Sequence, residues 1–306
     1  MTGALASAAP LPLPGGCSPD PREVALGIVA GLLEARTGQR LTAERSWRVG
    51  GALSGVLRRH GLVSIEELGE RLARPDEAAL ARQVVDALLN NETSFFRDRL
   101  LFDQIDSCVL PDLAARRARG RRLTVWSAGC STGQEAYSLA ILLASAPERW
   151  RGWKIDILAT DVSASMVAAA REGLYSQFQI QRGLGVAQMM RWFEEDPGGW
   201  RARPELRRMV RFAEHNVLNE APPPGRFDLI LCRNVLIYFD HPTRAAVLDR
   251  LAAAMTDDAW LMLGNGETAD ASEKLCPMRN CWGFRRAGAA VDIALQGFRR
   301  SAPSKA

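Results

Sequence analysis

The alternation of strand-like and helix-like segments after about residue 120 restricts the fold of this chain more than any other feature. Apolar segments that we interpret as strands lie at 123–129, 154–161, 209–217, 226–234 and 259–266. Helix-like segments lie among them at 135–146, 163–172 and 243–255. Alternating strands and helices are typical of a parallel, doubly wound sheet, so the pattern predicts an α/β fold.

The sequence before this alternation has a different character. Residues 21 to about 90 place apolar side chains at helical spacing. Ser64 followed by Glu67 is typical of a helix-capping box, and the Asn90-Asn91 pair favours a helix end. We therefore predict an all-helical N-terminal domain over residues 21–98.

The alternation is interrupted between Gly173 and Arg211. The segment FEEDPGGW at 193–200 predicts a hairpin turn flanked by aromatic residues. We therefore predict a small subdomain, inserted at 173–211 into an α/β domain that extends over residues 99–290. Residues 1–20 and 291–306 are expected to be disordered tails.

Composition and charge exclude several classes of protein. No apolar run approaches the roughly 20 residues of a membrane-spanning helix, and the N-terminus lacks the features of a signal peptide. We expect a cytoplasmic protein without direct membrane insertion. Six cysteines without a CxxC pair, together with only three histidines, predict reduced thiols and no metal site. A net charge of +4, and arginine clusters without interleaved aromatic residues, argue against nucleic acid as a partner.

Small residues follow the first strand of the α/β part. Ala128-Gly129-Cys130-Ser131-Thr132-Gly133 leads directly into a helix and matches neither a dinucleotide-binding GxGxxG motif nor a P-loop. Small residues let a ligand approach the backbone. Glu135, in the first helical turn, would repel a pyrophosphate but suits a cationic ligand or an amino group. An alternative and compatible interpretation is that Thr132 and Glu135 form a capping box.

Polar residues also follow the next two strands. Asp161 ends the second strand, where nucleoside-binding α/β folds bind ribose hydroxyls; alternatively, Asp161 caps the helix that follows. Asn216 follows the third strand and could accept a hydrogen bond from the N6 amine of adenine, or it could be a turn residue only. Together with Glu135, these residues predict a nucleoside site without a phosphate requirement. S-adenosylmethionine fits such a site better than a dinucleotide does.

The segment that joins the two predicted domains is Asn90-Asn-Glu-Thr-Ser-Phe-Phe-Arg-Asp98. Phe95 and Phe96 could cover a pocket with apolar surface while the neighbouring polar groups project into it. Taken alone, however, the segment favours a helix stop with the two rings as a hydrophobic anchor.

Four motifs occur in order along the chain: NETSFFR at 91–97, SAGCSTGQEAYS at 127–138, ATD at 159–161 and CRNVLIYFD at 232–240. In this combination the chain, over roughly residues 22–285, resembles the CheR-type chemoreceptor methyltransferases. The resemblance implies an S-adenosylmethionine-dependent methyltransferase fold with a mostly parallel sheet, a helical N-terminal domain and a small inserted antiparallel β subdomain. It also implies methyl transfer to glutamate side chains in the cytoplasmic domain of a methyl-accepting chemoreceptor, giving glutamyl methyl esters and S-adenosylhomocysteine.

The same resemblance implies which residues form the site. Arg97 and Tyr238 are the expected catalytic residues, with Arg97 holding the incoming carboxylate and Tyr238 near the sulfonium. Expected cofactor-binding residues are Asn91, Thr93, Arg97, Gly129, Glu135, Asp161, Asn216, Val217, Asn234 and Val235. One departure is Gly264-Asn265-Gly266-Glu267, because the family often carries a Gly-His-Ser-Glu-like turn there; any role for that histidine is absent.

Six arginines and only two glutamates lie between residues 34 and 60. We hypothesise that Arg45, Arg48, Arg58 and Arg59 dock an acidic receptor helix bundle; the alternative is a solvated helix face. Two other functions stay open at this point, a methyltransferase of another protein and a non-catalytic regulator that binds the cofactor. The oligomeric state, and whether the inserted subdomain grips a receptor peptide, do not follow from the sequence.

Overall fold

The structure of the protein is a computed structural model that describes residues 20–41, 48–279 and 281–288. Apart from Asp20, the predicted tails lie outside the described residues, and so does Arg45. The chain divides into two compact units, with the divisions at Arg36/Thr37, Arg40/Leu41 and Leu88/Leu89. The short segment 37–40 and the segment 89–98 therefore belong to the second unit. No helix in the described part of the chain is long and apolar enough to cross a membrane.

The first unit is helical. Its helices are α1 (Pro21–Thr37, of which Thr37 belongs to the second unit), α2 (Val49–His60), α3 (Ile65–Leu72) and α4 (Ala78–Leu88). Their apolar faces share a buried core that includes Val29, Leu53, Leu68 and Val84. The Ser64 hydroxyl caps α3 by accepting from the Glu67 N–H at 3.3 Å, as predicted, while the Glu67 carboxylate accepts from the Val63 N–H at 2.9 Å.

The described residues of the second unit form ten strands. They are β1 (Arg122–Ala128), β2 (Lys154–Asp161), β3 (Leu174–Tyr175), β4 (Phe193–Asp196), β5 (Gly199–Ala202), β6 (Val210–Glu214), β7 (Phe227–Cys232), β8 (Met255–Leu263), β9 (Leu275–Pro277) and β10 (Phe284–Arg286). Its helices are α5 (Arg99–Gln104) and α6 (Leu110–Arg116), which a π-helical turn at Ile105–Val109 connects, then α7 (Gln134–Ser145), α8 (Ala164–Glu172), α9 (Gln177–Gln181), α10 (Val186–Trp192), α11 (Pro204–Met209) and α12 (His241–Ala254).

Seven of these strands form one sheet in the order β6-β2-β1-β7-β8-β10-β9. The first five in this order are parallel to one another, and β10 and β9 are antiparallel additions. Because side chains alternate between the faces of a strand, the sheet has two cores. Val125 and Leu229 face one of them, together with residues of α6 and α7, whereas Trp126 and Ile230 face the other, together with residues of α12. The doubly wound, mostly parallel sheet is therefore confirmed.

A second, smaller sheet interrupts the alternation, as the sequence predicts for this region. Its three antiparallel strands have the order β3-β5-β4, and β4 and β5 form the hairpin at FEEDPGGW. Gly199, at the start of β5, has φ +139°, and a Cβ there would lie 2.3 Å from the Tyr175 carbonyl oxygen. The hairpin therefore requires glycine at this position.

Candidate functional site

A cleft opens where the parallel strands end. The carboxyl ends of β1, β2, β6 and β7 lie on the same edge of the sheet, because parallel strands all run in one direction. Open α/β sheets bind ligands at this edge. The cleft encloses about 950 Å³ of atom-free space, part of it open to solvent.

Every residue that the sequence assigns to catalysis or cofactor binding lines this cleft, and all of them belong to the second unit. These residues are Asn91, Thr93, Arg97, Gly129, Glu135, Asp161, Asn216, Val217, Asn234, Val235 and Tyr238. The four sequence motifs therefore meet in one place although they are distant along the chain.

The loop after β1 is held against the end of β2. The N–H groups of Gly129 and Cys130 both donate to the Thr160 carbonyl oxygen, at 2.8 and 2.9 Å. Gly129 has φ +80°, and a Cβ at this position would lie 2.4 Å from Val235 Cγ2. A side chain is therefore excluded on both conformational and steric grounds. The backbone of the β1 loop and the Val235 side chain consequently approach each other closely at the cleft.

The capping box predicted as an alternative for Thr132 and Glu135 does not form. Gly133 precedes α7 in the left-handed conformation, and no side chain caps the helix. The Thr132 hydroxyl instead lies 2.7 Å from the Gln134 side-chain oxygen. Glu135 lines the cleft, and its carboxylate accepts a hydrogen bond from the Ser127 hydroxyl at 2.7 Å.

Asp161 ties two loops of the cleft together. One carboxylate oxygen accepts from the Ser131 N–H at 2.8 Å, and the other accepts from the Ser163 N–H at 3.0 Å. Ser163, not Asp161, is the residue that caps α8, since its hydroxyl accepts from the Met166 N–H at 3.3 Å. The alternative that makes Asp161 the helix cap is therefore wrong. Its carboxylate is buried at the wall of the cleft.

A buried ion cluster forms the floor of the cleft. Arg233, directly after β7, donates through Nη1 to Glu135 at 3.0 Å and through Nη2 to the Asp98 carboxylate and the Arg97 carbonyl oxygen, both at 2.7 Å. Only 1% of its side chain is exposed. Burial raises the pKa of Glu135, and the nearby guanidinium and the Ser127 hydroxyl oppose that rise. Arg233 was not predicted as a site residue, although an arginine that directly follows a fully buried strand is a signal in itself.

Glu267 was likewise not predicted, and it fixes the loop that follows β7. One of its carboxylate oxygens accepts from the N–H groups of Asn234 and Gly264, at 2.8 and 2.7 Å, and the other accepts from the Ile237 N–H at 3.2 Å. Asn234 adopts the left-handed conformation, with φ +56°. Tyr238 lies on the short 3₁₀ turn that follows, and its hydroxyl accepts from Asn90 Nδ2 at 2.9 Å.

The segment 89–98 runs along the cleft. Arg97 donates through Nη1 to the Glu92 carbonyl oxygen at 2.8 Å, and the Ser131 hydroxyl donates to the Asn91 carbonyl oxygen at 2.7 Å. Phe95 and Phe96, however, do not line the cleft; both are buried in the core. The two rings anchor the segment in the core, as the sequence favours, and they pack against Phe193 and Phe102.

Residues 91–282 match a protein-family model described as CheR methyltransferase, SAM binding domain. The chain belongs to the CheR methyltransferase family. It is 35% identical to Chemotaxis protein methyltransferase 1 of Pseudomonas aeruginosa over 239 residues, which are 77% of this chain and 86% of that protein. With the same coverage, it is 34% identical to Chemotaxis protein methyltransferase Cher2 of Pseudomonas putida and 33% identical to Chemotaxis protein methyltransferase of Vibrio parahaemolyticus.

As a CheR methyltransferase, the chain is an enzyme that uses S-adenosylmethionine, and the cleft fits this cofactor. Two carboxylates, Glu135 and Asp161, line the cleft, which favours a ligand with a cationic group and hydroxyls. Of the two arginines in the lining, Arg233 is already neutralised by Glu135 and Asp98. The cleft of this CheR methyltransferase therefore lacks the concentration of cationic groups that a pyrophosphate would need. Within the described ranges, no group of three or more His, Cys, Asp or Glu side chains could hold a metal ion.

Proposed function

We propose that this chain transfers a methyl group from S-adenosylmethionine to glutamate side chains in the cytoplasmic domain of a methyl-accepting chemoreceptor. The observation that carries the proposal is the meeting of Glu135, Asp161, Arg97 and Tyr238 in one cleft at the carboxyl ends of the strands. Such a cleft combines sites for a cationic nucleoside with a guanidinium at which a carboxylate can dock. The names of the relatives, all chemotaxis protein methyltransferases, support the receptor as acceptor.

A glutamate acceptor explains why the cleft needs no general base. The glutamate side chain has a reference pKa near 4.3 and is ionised at neutral pH, so no proton has to be removed before it attacks. The cofactor, when bound, supplies a methyl group on a cationic sulfur. The remaining task of the protein is to align the carboxylate with that methyl group and to exclude water, which favours a displacement that neutralises charge.

Arg97 is the proposed carboxylate-holding residue. Its Nη1 is oriented by the Glu92 carbonyl oxygen, and its own carbonyl oxygen is held by Arg233. Both the backbone and the side chain of Arg97 therefore have fixed partners before any substrate arrives. A guanidinium binds a carboxylate through parallel N–H donors. The contact must not over-stabilise the reactant carboxylate, because this anion loses charge in the transition state and a more stable reactant would slow the reaction.

Tyr238 is the proposed partner of Arg97 at the reacting atoms. The hydrogen bond from Asn90 to its hydroxyl fixes the direction of the phenol ring. Glu267 holds the loop on which Tyr238 lies through the N–H groups of Asn234 and Ile237. A ring fixed at both ends can orient the acceptor carboxylate or the sulfonium.

The remaining residues of the cleft are proposed to bind the cofactor. Glu135 would bind the amino group of the methionine portion, Asp161 the ribose, and Asn216 with Val217 the adenine. Asn91, Thr93, Gly129, Asn234 and Val235 would lie along the cofactor. Gly129 fits this role because its backbone lies open in a loop where no Cβ is tolerated.

The arginines of the helical unit are proposed to dock the receptor. Arg48, Arg58 and Arg59 are exposed, and the last turn of α2 carries Arg58, Arg59 and His60 without an acidic residue. An acidic helix bundle would be attracted to such a face, and the attraction would weaken with salt. Arg58→Glu/Arg59→Glu should therefore lower receptor methylation and leave S-adenosylhomocysteine affinity unchanged. The matched control is Arg82→Glu, because Arg82 is an exposed residue of the same unit. If Arg58→Glu/Arg59→Glu and Arg82→Glu methylate the receptor at the same rate, the docking role is contradicted.

The decisive experiment uses methyl-labelled S-adenosylmethionine and membranes that carry a chemoreceptor, followed by mild alkali. Label released as volatile methanol identifies a carboxyl methyl ester, as proposed. Alkali-stable label would assign the acceptor to nitrogen or carbon and refute the glutamate reaction. In parallel, Arg97→Met should lower the rate by about 10- to 100-fold, which corresponds to the loss of a charge-assisted hydrogen bond, whereas Arg82→Met should not change it.

A further inference from the structure

Three buried side-chain atoms of the described residues that line the cleft have no hydrogen-bond partner: Gln39 Oε1, His215 Nδ1 and Arg233 Nε. Gln39 Oε1 is the amide oxygen among them. The side-chain oxygen Oε1 of Gln39 is buried, and no described residue donates a hydrogen bond to it. Gln39 nevertheless lines the cleft. A buried carbonyl oxygen without a donor is unfavourable, so a ligand that supplies a donor at this point gains affinity.

Gln39 lies at the cleft because the preceding residue, Gly38, packs closely against Leu218 and Phe239. Gly38 has φ +69°, and a Cβ there would lie 2.7 Å from Leu218 Cδ2 and 3.4 Å from Phe239. The Gln39 N–H donates to the Thr37 hydroxyl at 3.2 Å. The segment 37–40 belongs to the second compact unit, and it is held beside the turn that begins at Asn216.

Asn216 is the residue that the sequence favours as acceptor for the adenine amine, but its oxygen is already in use. Asn216 Oδ1 accepts from the Leu218 N–H at 2.9 Å, which closes the turn after β6. The hydrogen bond that closes the turn fixes the orientation of this amide oxygen, so the oxygen is not oriented for a ligand. Gln39 Oε1, in contrast, is buried at the same cleft with no partner among the described residues.

We propose that Gln39 Oε1 accepts a hydrogen bond from the N6 amine of the cofactor's adenine and makes the site selective for a 6-aminopurine. The inference rests on the proposed function for the location of the adenine beside Asn216 and Val217. It adds a residue from the segment between the first two described helices, which none of the four motifs contains. The role is one of specificity and binding, since Gln39 has no part in the methyl transfer itself.

The test compares S-adenosylhomocysteine with its 6-deamino analogue, in which hydrogen replaces the amine, by calorimetric titration. The deamino analogue is preferred to an inosine analogue because a rotated glutamine amide could donate to the inosine oxygen and hide the effect. We expect wild-type protein to bind S-adenosylhomocysteine about 3- to 10-fold more tightly than the analogue, which is the range of one neutral hydrogen bond.

In Gln39→Met, which keeps the length of the side chain and removes its acceptor, the two ligands should bind equally. The exposed Gln181→Met is the matched control and should keep the wild-type ratio. The proposal is overturned if wild-type protein does not distinguish the two ligands, a result that needs no variant to fold. It is also overturned if Gln39→Met retains the full ratio, because another group would then recognise the amine.

These outcomes are distinct from failure of the proposed function. A wild-type protein that binds neither ligand would contradict the cofactor site as a whole. A protein that binds both ligands equally and still methylates a receptor would contradict only the role of Gln39.

Discussion

Replacement of Arg233 by methionine is the perturbation whose effect the structure defines most completely. The change removes three donated hydrogen bonds, to Glu135, to Asp98 and to the Arg97 carbonyl oxygen. It leaves two carboxylates without their counter-charge, with 12% of the Glu135 side chain and 32% of the Asp98 side chain exposed. Breaking a buried ion pair by removing one partner costs about 3–5 kcal/mol. Solvent screens the partly exposed Asp98, so we assign most of the loss to Glu135.

The loss should also depend on pH, with a definite sign. Burial already raises the pKa of Glu135 above 4.5, and Arg233 opposes that rise. Without the guanidinium, the folded variant holds the Glu135 proton to higher pH than wild type, while the unfolded chains of both release it near 4.5. Above that value the folded variant binds more protons than its unfolded chain, so its stability falls as the pH rises. The difference in unfolding free energy between wild type and Arg233→Met should therefore be larger at pH 8 than at pH 5.

Urea denaturation followed by tryptophan fluorescence at both pH values measures this difference. Arg82→Met, at an exposed position, is the control and should change the unfolding free energy by less than about 0.5 kcal/mol. The double variant Arg233→Met/Glu135→Gln should recover part of the loss at pH 8, because the uncompensated charge is then absent. A loss below about 1 kcal/mol, or a loss that is the same at both pH values, would refute the assignment of an uncompensated buried Glu135.

Three other expectations follow from the cleft. Gly129→Ala should weaken S-adenosylhomocysteine binding at least about tenfold in calorimetry. The backbone of Gly129 has φ +80°, and a Cβ there would lie 2.4 Å from Val235 Cγ2, so the loop would have to move. The control is Gly55→Ala, which has open space around it and should leave the affinity unchanged. Glu267→Gln should lower the methyl-transfer rate about tenfold at saturating cofactor, since an amide oxygen replaces a carboxylate that holds three N–H groups; an unchanged rate would contradict its positioning role. S-adenosylhomocysteine affinity should fall as the pH drops towards the raised pKa of Glu135, because only the ionised carboxylate attracts the ligand's ammonium group, and Glu135→Gln should abolish that dependence.

The sequence predicted the large sheet well because its strands are buried and parallel. All six residues of β7 are buried, and a strand covered on both faces is mostly apolar, as β7 is apart from Asp228. The antiparallel additions β9 and β10 were not predicted, since each is three residues long and carries too little pattern to recognise. The helix α12 and strand β8 adjoin directly at Met255, which no turn residue marks in the sequence.

The cleft residues were predictable to the extent that they lie at strand ends. Asp161 and Gly129 each follow an apolar run, and the carboxyl end of a parallel strand is a location that the chain pattern alone defines. For Phe95 and Phe96 the sequence favoured a hydrophobic anchor but could not name the residues that pack against them. Their surroundings depend on Phe193 and Phe102, and the pairing of the segment 89–98 with the inserted sheet has no local signal.

The ion pair between Arg233 and Glu135 shows why the remaining part of the site could not be predicted from the sequence. The two residues are 98 positions apart along the chain, yet their ion pair decides how much charge the cleft presents. Burial disfavours the Glu135 carboxylate, and Arg233 and Ser127 make the ionised form tolerable without surrounding water. A carboxylate that is held in this way needs little rearrangement when a cationic ligand arrives, which is the general advantage of a preorganised site. The burial of Glu135 therefore costs folding stability, and in the proposed function this carboxylate would bind the cationic end of the cofactor.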